Sequence, residues 1–542
     1  MVPDVPSFDV DDGFSYAVPD TLGPVPIGSI VRVPLGGRKV RGWVVSTRPD
    51  AGPPGRRLRP ILSRSGDSPI FDEALLTVLR WAAAHYVAPL AVLLPRAGPP
   101  NLPRGKREGS RPADLAGVAR RSAFVAGSGP WSEVLGAAAD PVLAAEGTVL
   151  VVVATVVEAE RLAAQLQKRF GDRVLRAWSS LPAAEATRSW VRAGGDGALL
   201  VGTRETALWH LPPLTHALVI EPGRRALKAK QTPTINARDV LRKRASVERF
   251  ALTYAGAVPP GELVAAGTPI ERAGARRWPI VEVVSRAEEG PGAPIVLERT
   301  RAAIRGPVAQ EGRVCVQVPH RGYAPALRCA ACGELRRCVS CGSGPDRGDH
   351  CRRCGADTGS CVKCGGSRFQ ALGVAVGRVV DDLARSLGRD VAAAGTDAPV
   401  TVGTERDLPA PGSRDLAVAV APERLWLAPH YRAEEEALRV LARVAATVRR
   451  GRGRRCVVQT ADPDHRVVAA IRSGDGTSLI EQLVSERSAV GFPPGGELIA
   501  VEVRGEPTVV HRELELVVDD AADLYGPADS GDRSRWLVQG PS

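Results

Sequence analysis

Lysine is scarce in this chain of 542 residues: there are only seven, so arginine supplies nearly all of the 72 basic side chains. Base outweighs acid by 72 to 60, a formal charge of +12. Guanidinium forks suit phosphate, so this imbalance directs attention to nucleic acid, with a generally solvated basic surface as the plainer reading. Long apolar runs are also missing. The longest clear one, Val149 to Val157, is far too short to span a bilayer, so no membrane partner is expected. The opening Met1-Val2-Pro3-Asp4 lacks the positive-then-apolar pattern of a secretory signal, and a reducing cytoplasm is the expected setting. No fixed-period repeat or low-complexity tract occurs. Outside one short window cysteine is nearly absent: Cys315 and Cys456 stand alone in apolar surroundings and read as buried free thiols.

That window holds the strongest signal in the chain. Cys329/Cys332, Cys338/Cys341, Cys351/Cys354 and Cys361/Cys364 are four Cys-x-x-Cys pairs within 36 consecutive positions. Each pair sets two thiolates on one side of a metal, and two pairs complete a tetrahedral Cys₄ site, so four pairs imply two Zn²⁺ ions per chain. Gly333, Gly342, Gly355 and Gly365 directly follow the second cysteine of each pair, where a turn aims backbone N–H groups at sulfur. A disulfide framework fits adjacent pairs poorly; an iron–sulfur site remains the alternative.

Elsewhere the pattern is α/β. Ile30 to Pro34 and Val40 to Val45 alternate as two strands around a Leu35-Gly36-Gly37-Arg38 turn, and Phe71 to Tyr86 has helical spacing. A Pro/Gly/Arg-rich linker runs from Ala97 to about Pro112. From Ser122 to Gly256 strands alternate with helices, as in a doubly wound sheet, and the alternation resumes after 275 on both sides of the cysteines.

On particular residues the chain resembles the PriA family, the primosomal protein N′ of replication restart. The most specific match is Arg321-Gly322-Tyr323-Ala324-Pro325-Ala326-Leu327-Arg328-Cys329, followed by cysteine gaps of 5, 9 and 6 residues. Val31 to Gly36 and Trp81 to Tyr86 are similar to the family's DNA 3′-end-binding domain. Val201 to Arg204, Ala237 to Val240, Tyr431 to Glu434 and Gly491 to Pro494 resemble later landmarks. The resemblance implies interleaved zinc sites, one on Cys329, Cys332, Cys361 and Cys364, the other on Cys338, Cys341, Cys351 and Cys354. It also implies an α/β fold of two helicase-like (RecA-like) lobes with a zinc-binding insert, a β-rich N-terminal domain and a short α+β C-terminal domain. The expected divisions are 1-100 (3′-end-binding-like), 101-121 (linker), 122-270 (lobe 1), 271-328 (start of lobe 2), 329-366 (double zinc module), 367-475 (lobe 2) and 476-542 (C-terminal).

The family's nucleotide motifs are degraded here. A phosphate loop needs GxxxxGK[ST], whereas the corresponding segment reads Ala126-Gly127-Ser128-Gly129-Pro130-Trp131-Ser132-Glu133, and no lysine lies between Lys106 and Lys168. The acidic box that would hold Mg²⁺ is reduced to Glu221, followed by Arg224 and Arg225; alone, such a carboxylate reads as a surface or salt-bridged group. The first arginine-finger position is Thr447, with Arg450 retained. ATP and Mg²⁺ are therefore doubtful cofactors, and a motorless member of an ATP-dependent helicase family is expected.

By motif, the family's 3′-end pocket maps onto Phe14, Ser15, Gly36 and Arg59. Phe14 would stack on the terminal base, Arg59 would meet a phosphate, and Ser15 replaces a carboxylate that would read the 3′-hydroxyl. The densest basic run, Arg449, Arg450, Arg452, Arg454 and Arg455, offers further phosphate contacts, with Arg449 and Arg450 leading. The expected function is a replication restart protein of the primosome, cytoplasmic and nucleoid-associated. Its expected partners are branched or forked DNA, the replicative helicase and its loader, and single-stranded DNA-binding protein. The rivals are an active 3′-to-5′ helicase and a zinc-ribbon nucleic-acid-binding factor.

Overall fold

The structure is a computed structural model. It describes residues 1–48, 58–102, 122–194, 197–272, 278–287, 289, 293–319, 326–332, 334, 336, 338–340, 351, 356, 359–372, 375–387, 391–428, 430–518, 522–529 and 533–541. The chain divides into two units, Met1–Gly256 with Pro269–Arg272, and Ala257–Thr268 with Ala273–Ser542.

The first unit opens with an antiparallel sheet of β1 (Val2–Pro3), β2 (Ile30–Leu35), β3 (Arg38–Trp43) and β4 (Ser63–Ser65), in the order β1-β3-β2-β4. Val31 and Val33 are buried and Arg32 between them is exposed, the period of a half-buried strand. Gly36 and Gly37 both sit at positive φ, +55° and +77°, so the β2–β3 connection has the left-handed pair of a type I′ turn. Helix α1 (Glu73–His85) follows; the Asp72 carboxylate accepts the Leu75 N–H at 2.8 Å, and Leu75, Leu76, Val78 and Leu79 form its buried stripe. After a break at 86–89 come two short helical turns, Leu90–Leu93 and Leu94–Ala97, and most of the expected linker lies outside the described residues.

The remainder of this unit is a seven-stranded parallel sheet. Its elements are β5 (Ser122–Ala126), α2 (Trp131–Ala144), β6 (Thr148–Val152), α3 (Val156–Phe170), β7 (Val174–Ala177), β8 (Leu199–Gly202), β9 (Leu214–Ile220), α4 (Ala237–Glu248), β10 (Ala251–Gly256) and β11 (Ile270–Arg272). The spatial order is β11-β5-β10-β9-β6-β8-β7. Every residue of β6 is buried, as expected for a strand covered on both faces. Val149, Val151, Leu199, Val201 and Leu218 pack on Leu135 and Ala139 of α2 and Leu162 and Leu166 of α3.

In the second unit, β12 (Ile280–Ser285) and β13 (Val314–Gln317) precede a two-stranded antiparallel base, β14 (Ala326–Cys329) with β15 (Phe369–Leu372). The main sheet is completed by β16 (Val391–Ala393), β17 (Val400–Gly403), β18 (Leu416–Val420) and, after helix α5 (Ala433–Ala446), β19 (Arg455–Thr460). All pairings are parallel, in the order β12-β19-β18-β13-β17-β16. Helix α5 carries Ala437, Leu438, Leu441 and Ala445 into this core. A short α+β segment ends the chain: β20 (Gly496–Val503), α6 (Pro507–Val517), β21 (Asp523–Asp529) and β22 (Ser534–Pro541), with sheet order β20-β22-β21.

The lobes share one plan. Thr203, after β8, and Thr404, after β17, have nearly the same backbone angles, φ −101°, ψ −176° and φ −100°, ψ −177°. Glu221 and Ala421, directly after β9 and β18, each two places along its sheet from β8 or β17, both take left-handed φ, +52° and +54°. Among the described residues no single helix is long and apolar enough to cross a membrane.

Candidate metal centre and nucleic-acid interface

The clearest site is the cysteine group that ends β14. The Sγ atoms of Cys329, Cys332, Cys361 and Cys364 all lie within 4.8 Å of one another, with Cys329–Cys364 and Cys332–Cys361 each at 3.5 Å. Zn–S bonds of about 2.3 Å in a tetrahedron place sulfurs about 3.8 Å apart, so these four fit one zinc ion. An iron–sulfur cluster interposes its own metal and sulfide atoms and holds its cysteines further apart. Backbone bonds shape the loops: Cys329 N–H donates to Glu334 O at 2.8 Å, and Cys361 N–H to Gly366 O at 2.9 Å. Gly365, at φ +71°, makes the turn foreseen after Cys364. The N–H groups of Cys332 and Ala331 lower the Cys329 thiol pKa to about 6. The Gly366 N–H also favours a thiolate on Cys364, but Cys332 and Cys329 outweigh it and hold that thiol near 12.

Of the other four cysteines, Cys338 and Cys351 are buried, while Cys341 and Cys354 lie outside the described residues. Cys351 N–H donates to Ala356 O at 2.8 Å, the same five-residue closure seen at Cys329 and Cys361. Cys315 and Cys456 are buried free thiols. Burial pushes both thiols above their ordinary pKa; Thr447, whose Oγ1 lies 3.3 Å from the Cys315 sulfur, offsets this in part for Cys315.

In the N-terminal domain, Phe14 is exposed and, with Ser15 and Tyr16, lines a cavity of about 810 Å³ that also touches Arg48 and Arg80. Ala17 N–H donates to Arg59 O at 2.9 Å and Ile61 N–H to Ala17 O at 2.9 Å, so the Phe14 and Arg59 segments run side by side. The Tyr16 hydroxyl donates to Pro34 O at 3.1 Å, two residues before Gly36. Burial raises the Tyr16 phenol pKa, and the positive charge of Arg59 pulls it partly back. Gly36 and Arg59 are both exposed but lie outside the lining of the Phe14 cavity.

The turn from β5 to α2 carries the segment compared above with a phosphate loop. Gly127 N–H is used by Gly256 O at 2.9 Å, Ser128 is buried, and Pro130, which has no N–H, caps α2. Trp131 packs against the lobe core. Glu221 is buried and not at the surface; the close approach of the Gly256 backbone, where an added Cβ would lie 3.3 Å from its Oε2, makes room for it. Arg224 is buried too and is tied to Glu158 in the first turn of α3, an ion pair the sequence reading missed. At this turn the Gly127 donor is engaged, Pro130 has none to offer, and Arg224 is paired.

Arg449 and Arg450 lie at the start of the arginine-rich loop between α5 and β19, both exposed. Arg449 Nη1 reaches Asp415 Oδ1 at 3.5 Å and Arg454 Nη1 reaches it at 2.5 Å. The anchoring role of Asp415 was also missed, although its place directly before an apolar strand was a usable signal.

The scattered landmarks meet in pairs. In the first unit α1 packs on α4: Asn236 N–H donates to the Tyr86 hydroxyl at 3.1 Å, and Lys243 Nζ lies 5.9 Å from the centre of the Trp81 ring. Arg244 of α4, fully buried, donates to Ala207 O, Trp209 O and both oxygens of Glu248. In the second unit Tyr431 stacks on Phe492 at 5.3 Å, and Arg466 joins Glu434 to Glu486.

Residues 2–99 match the family of PriA 3′DNA-binding domains (3′BD). Among curated proteins, the chain is 28% identical to a probable replication restart protein PriA of Mycobacterium tuberculosis (strain CDC 1551 / Oshkosh), over 97% of this chain and 90% of that protein. It is 29% identical to the Mycobacterium leprae (strain TN) counterpart, over 74% of this chain and 66% of that protein. Among solved structures, RecG bound to a three-way DNA junction covers 67% of this chain and 43% of its own at 13% identity and a TM-score of 0.40, too distant to build on. Its N-terminal domain is thus similar to PriA 3′DNA-binding domains, and nearly its whole length aligns with PriA replication restart proteins.

Proposed function

We propose that this chain is a replication restart protein that binds branched or forked DNA and helps to reload the replicative helicase, as a scaffold without a motor of its own. The match of residues 2–99 to PriA 3′DNA-binding domains carries this reading. Phe14, Gly36 and Arg59 would receive a DNA end, and Arg449 and Arg450 would meet backbone phosphate. The partners that follow are forked DNA, the replicative helicase with its loader, and single-stranded DNA-binding protein.

Two zinc ions would brace the insert: one on Cys329, Cys332, Cys361 and Cys364, the other on Cys338, Cys341, Cys351 and Cys354. The recurring Cys351 closure supports the second. Zinc bound there would supply cross-links between the two ends of the insert. The lack of a motor is supported by Pro130 and Trp131 at the β5–α2 turn, by the absence of a lysine there, and by the pairing of Arg224 with Glu158. The divisions 1-100, 101-121, 122-270, 271-328, 329-366, 367-475 and 476-542 are kept as working boundaries.

Purified chain mixed with ATP and fork DNA tests the reading. Fork binding without DNA-stimulated phosphate release is expected. Stimulated release would instead favour an active helicase, and a preference for RNA hairpins over three-way DNA junctions would favour a zinc-ribbon nucleic-acid-binding factor.

A further inference from the structure

Arg313, Asp415 and Arg454 each stand one residue before a strand: β13 begins at Val314, β18 at Leu416 and β19 at Arg455. Val314 pairs with Leu416 and Leu416 with Arg455, so the three preceding residues form a row along the amino ends of neighbouring parallel strands. Open α/β sheets ordinarily bind ligands beyond the opposite, carboxyl ends. A pocket of about 240 Å³ opens at this row, walled by Arg313, Asp415, Arg449 and Arg454 with Gln310 and Glu311.

We propose that this row is a preformed clamp for backbone phosphates of nucleic acid, with Arg449 and Arg454 as its phosphate ligands and Asp415 as the residue that positions them. Asp415 is held from below: its Oδ2 accepts the Arg313 N–H at 2.7 Å and its own N–H donates to Arg313 O at 2.8 Å. Its side chain is 4% exposed, whereas those of Arg449 and Arg454 are 48% and 36% exposed. The buried carboxylate therefore holds two partly exposed guanidinium groups that line the pocket. The Arg313 guanidinium turns to Asp397 at 2.7 Å, and Glu311 is the other carboxylate at the pocket wall. Arg450 and Arg452, exposed on the same loop, leave the local balance positive. An acidic peptide would meet the same charge. Planar forks that can each engage two oxygens of one phosphate, repeated at 449, 450, 452 and 454, suit a chain of evenly spaced phosphates better.

The clamp rests on the DNA-binding role proposed above, and the experiment separates the two. Binding of labelled fork DNA and of linear duplex is followed by anisotropy over a range of NaCl concentrations. The proteins are wild type, R449A, R449A/R454A and R449K/R454K, with zinc content as the check on folding. Failure of the wild type to prefer the fork would overturn the restart reading, whatever the variants do. Given that preference, each arginine removed should make the slope of log K against log[salt] shallower by about 1. The lysine pair should keep the slope but bind several-fold more weakly, because it keeps charge and loses the fork. A wild-type slope and affinity in R449A overturns the clamp even if the double variant fails to fold. Lysine variants that bind as tightly as wild type reduce the site to a charged surface. Unchanged DNA binding alongside lost retention of a poly-glutamate probe would assign the pocket to an acidic protein segment.

Discussion

Burial changes what single side chains do in this chain. His216 on β9 is nearly inaccessible, with its Nε2 2.9 Å from Thr253 Oγ1. Burial lowers its pKa to about 4, against a smaller opposing effect from the Ala138 backbone. The unfolded chain protonates this ring below about 6.5, while the folded chain resists until about 4. Its contribution to stability is therefore complete above about pH 6.5 and is lost as pH falls through 4, up to ~3 kcal/mol in all. Urea unfolding of wild type and H216Q between pH 7.5 and 4.5 should show a decline that the variant lacks; equal declines would assign it to other groups. Asp415 shows the same principle for an acid: its burial makes it an anchor for arginines that in sequence look like one undifferentiated basic run.

Among the elements, the cysteine group that ends β14 is the one suited to hold a metal ion. β14 and β15 pair over four residues, and Cys329 at the end of β14 meets Cys332, Cys361 and Cys364. A metal ion held by these four sulfurs would couple its binding to the folding of the segment. Replacing Cys329 by serine should remove about one zinc per chain, measured by metal analysis after dialysis, and should increase amide exchange in residues 326–332 and 359–372. Unchanged zinc content would refute the assignment of Cys329 as a ligand. The cysteine spacing already pointed to metal, because a Cys-x-x-Cys pair is a local chelate whose geometry is short-range. Which sulfurs share an ion is a different matter: Cys329 and Cys364 lie 35 residues apart, and chain folding through β14 and β15 brings them together.

For the molecule as a whole, the landmarks of the PriA resemblance hold parts of each unit together. Trp81 stacks on His85 at 4.9 Å, meets Tyr86 edge-on and lies beneath Lys243, so α1 of the N-terminal domain is seated on α4 of the first lobe. W81A should loosen that contact by about 1–3 kcal/mol. Calorimetry of the full chain would then show the transition of the first unit broadened or split; an unchanged profile would mean that α1 and α4 add nothing to its cooperativity.

The α/β class, the strand–helix alternation of both lobes, the four Cys-x-x-Cys pairs and the lack of a lysine between Lys106 and Lys168 were legible in the sequence. All of these are written in local periodicity, spacing or the identity of one residue. Tertiary structure alone decided that Arg224 answers Glu158, that Glu221 is buried, that Arg449 and Arg454 share Asp415, and that Phe14 lines a cavity whose wall omits Gly36 and Arg59. The physical reason is range. A side chain's charge and shape are set where it stands in the chain, but its partner is set by parallel strands and crossover helices that join residues tens of positions apart.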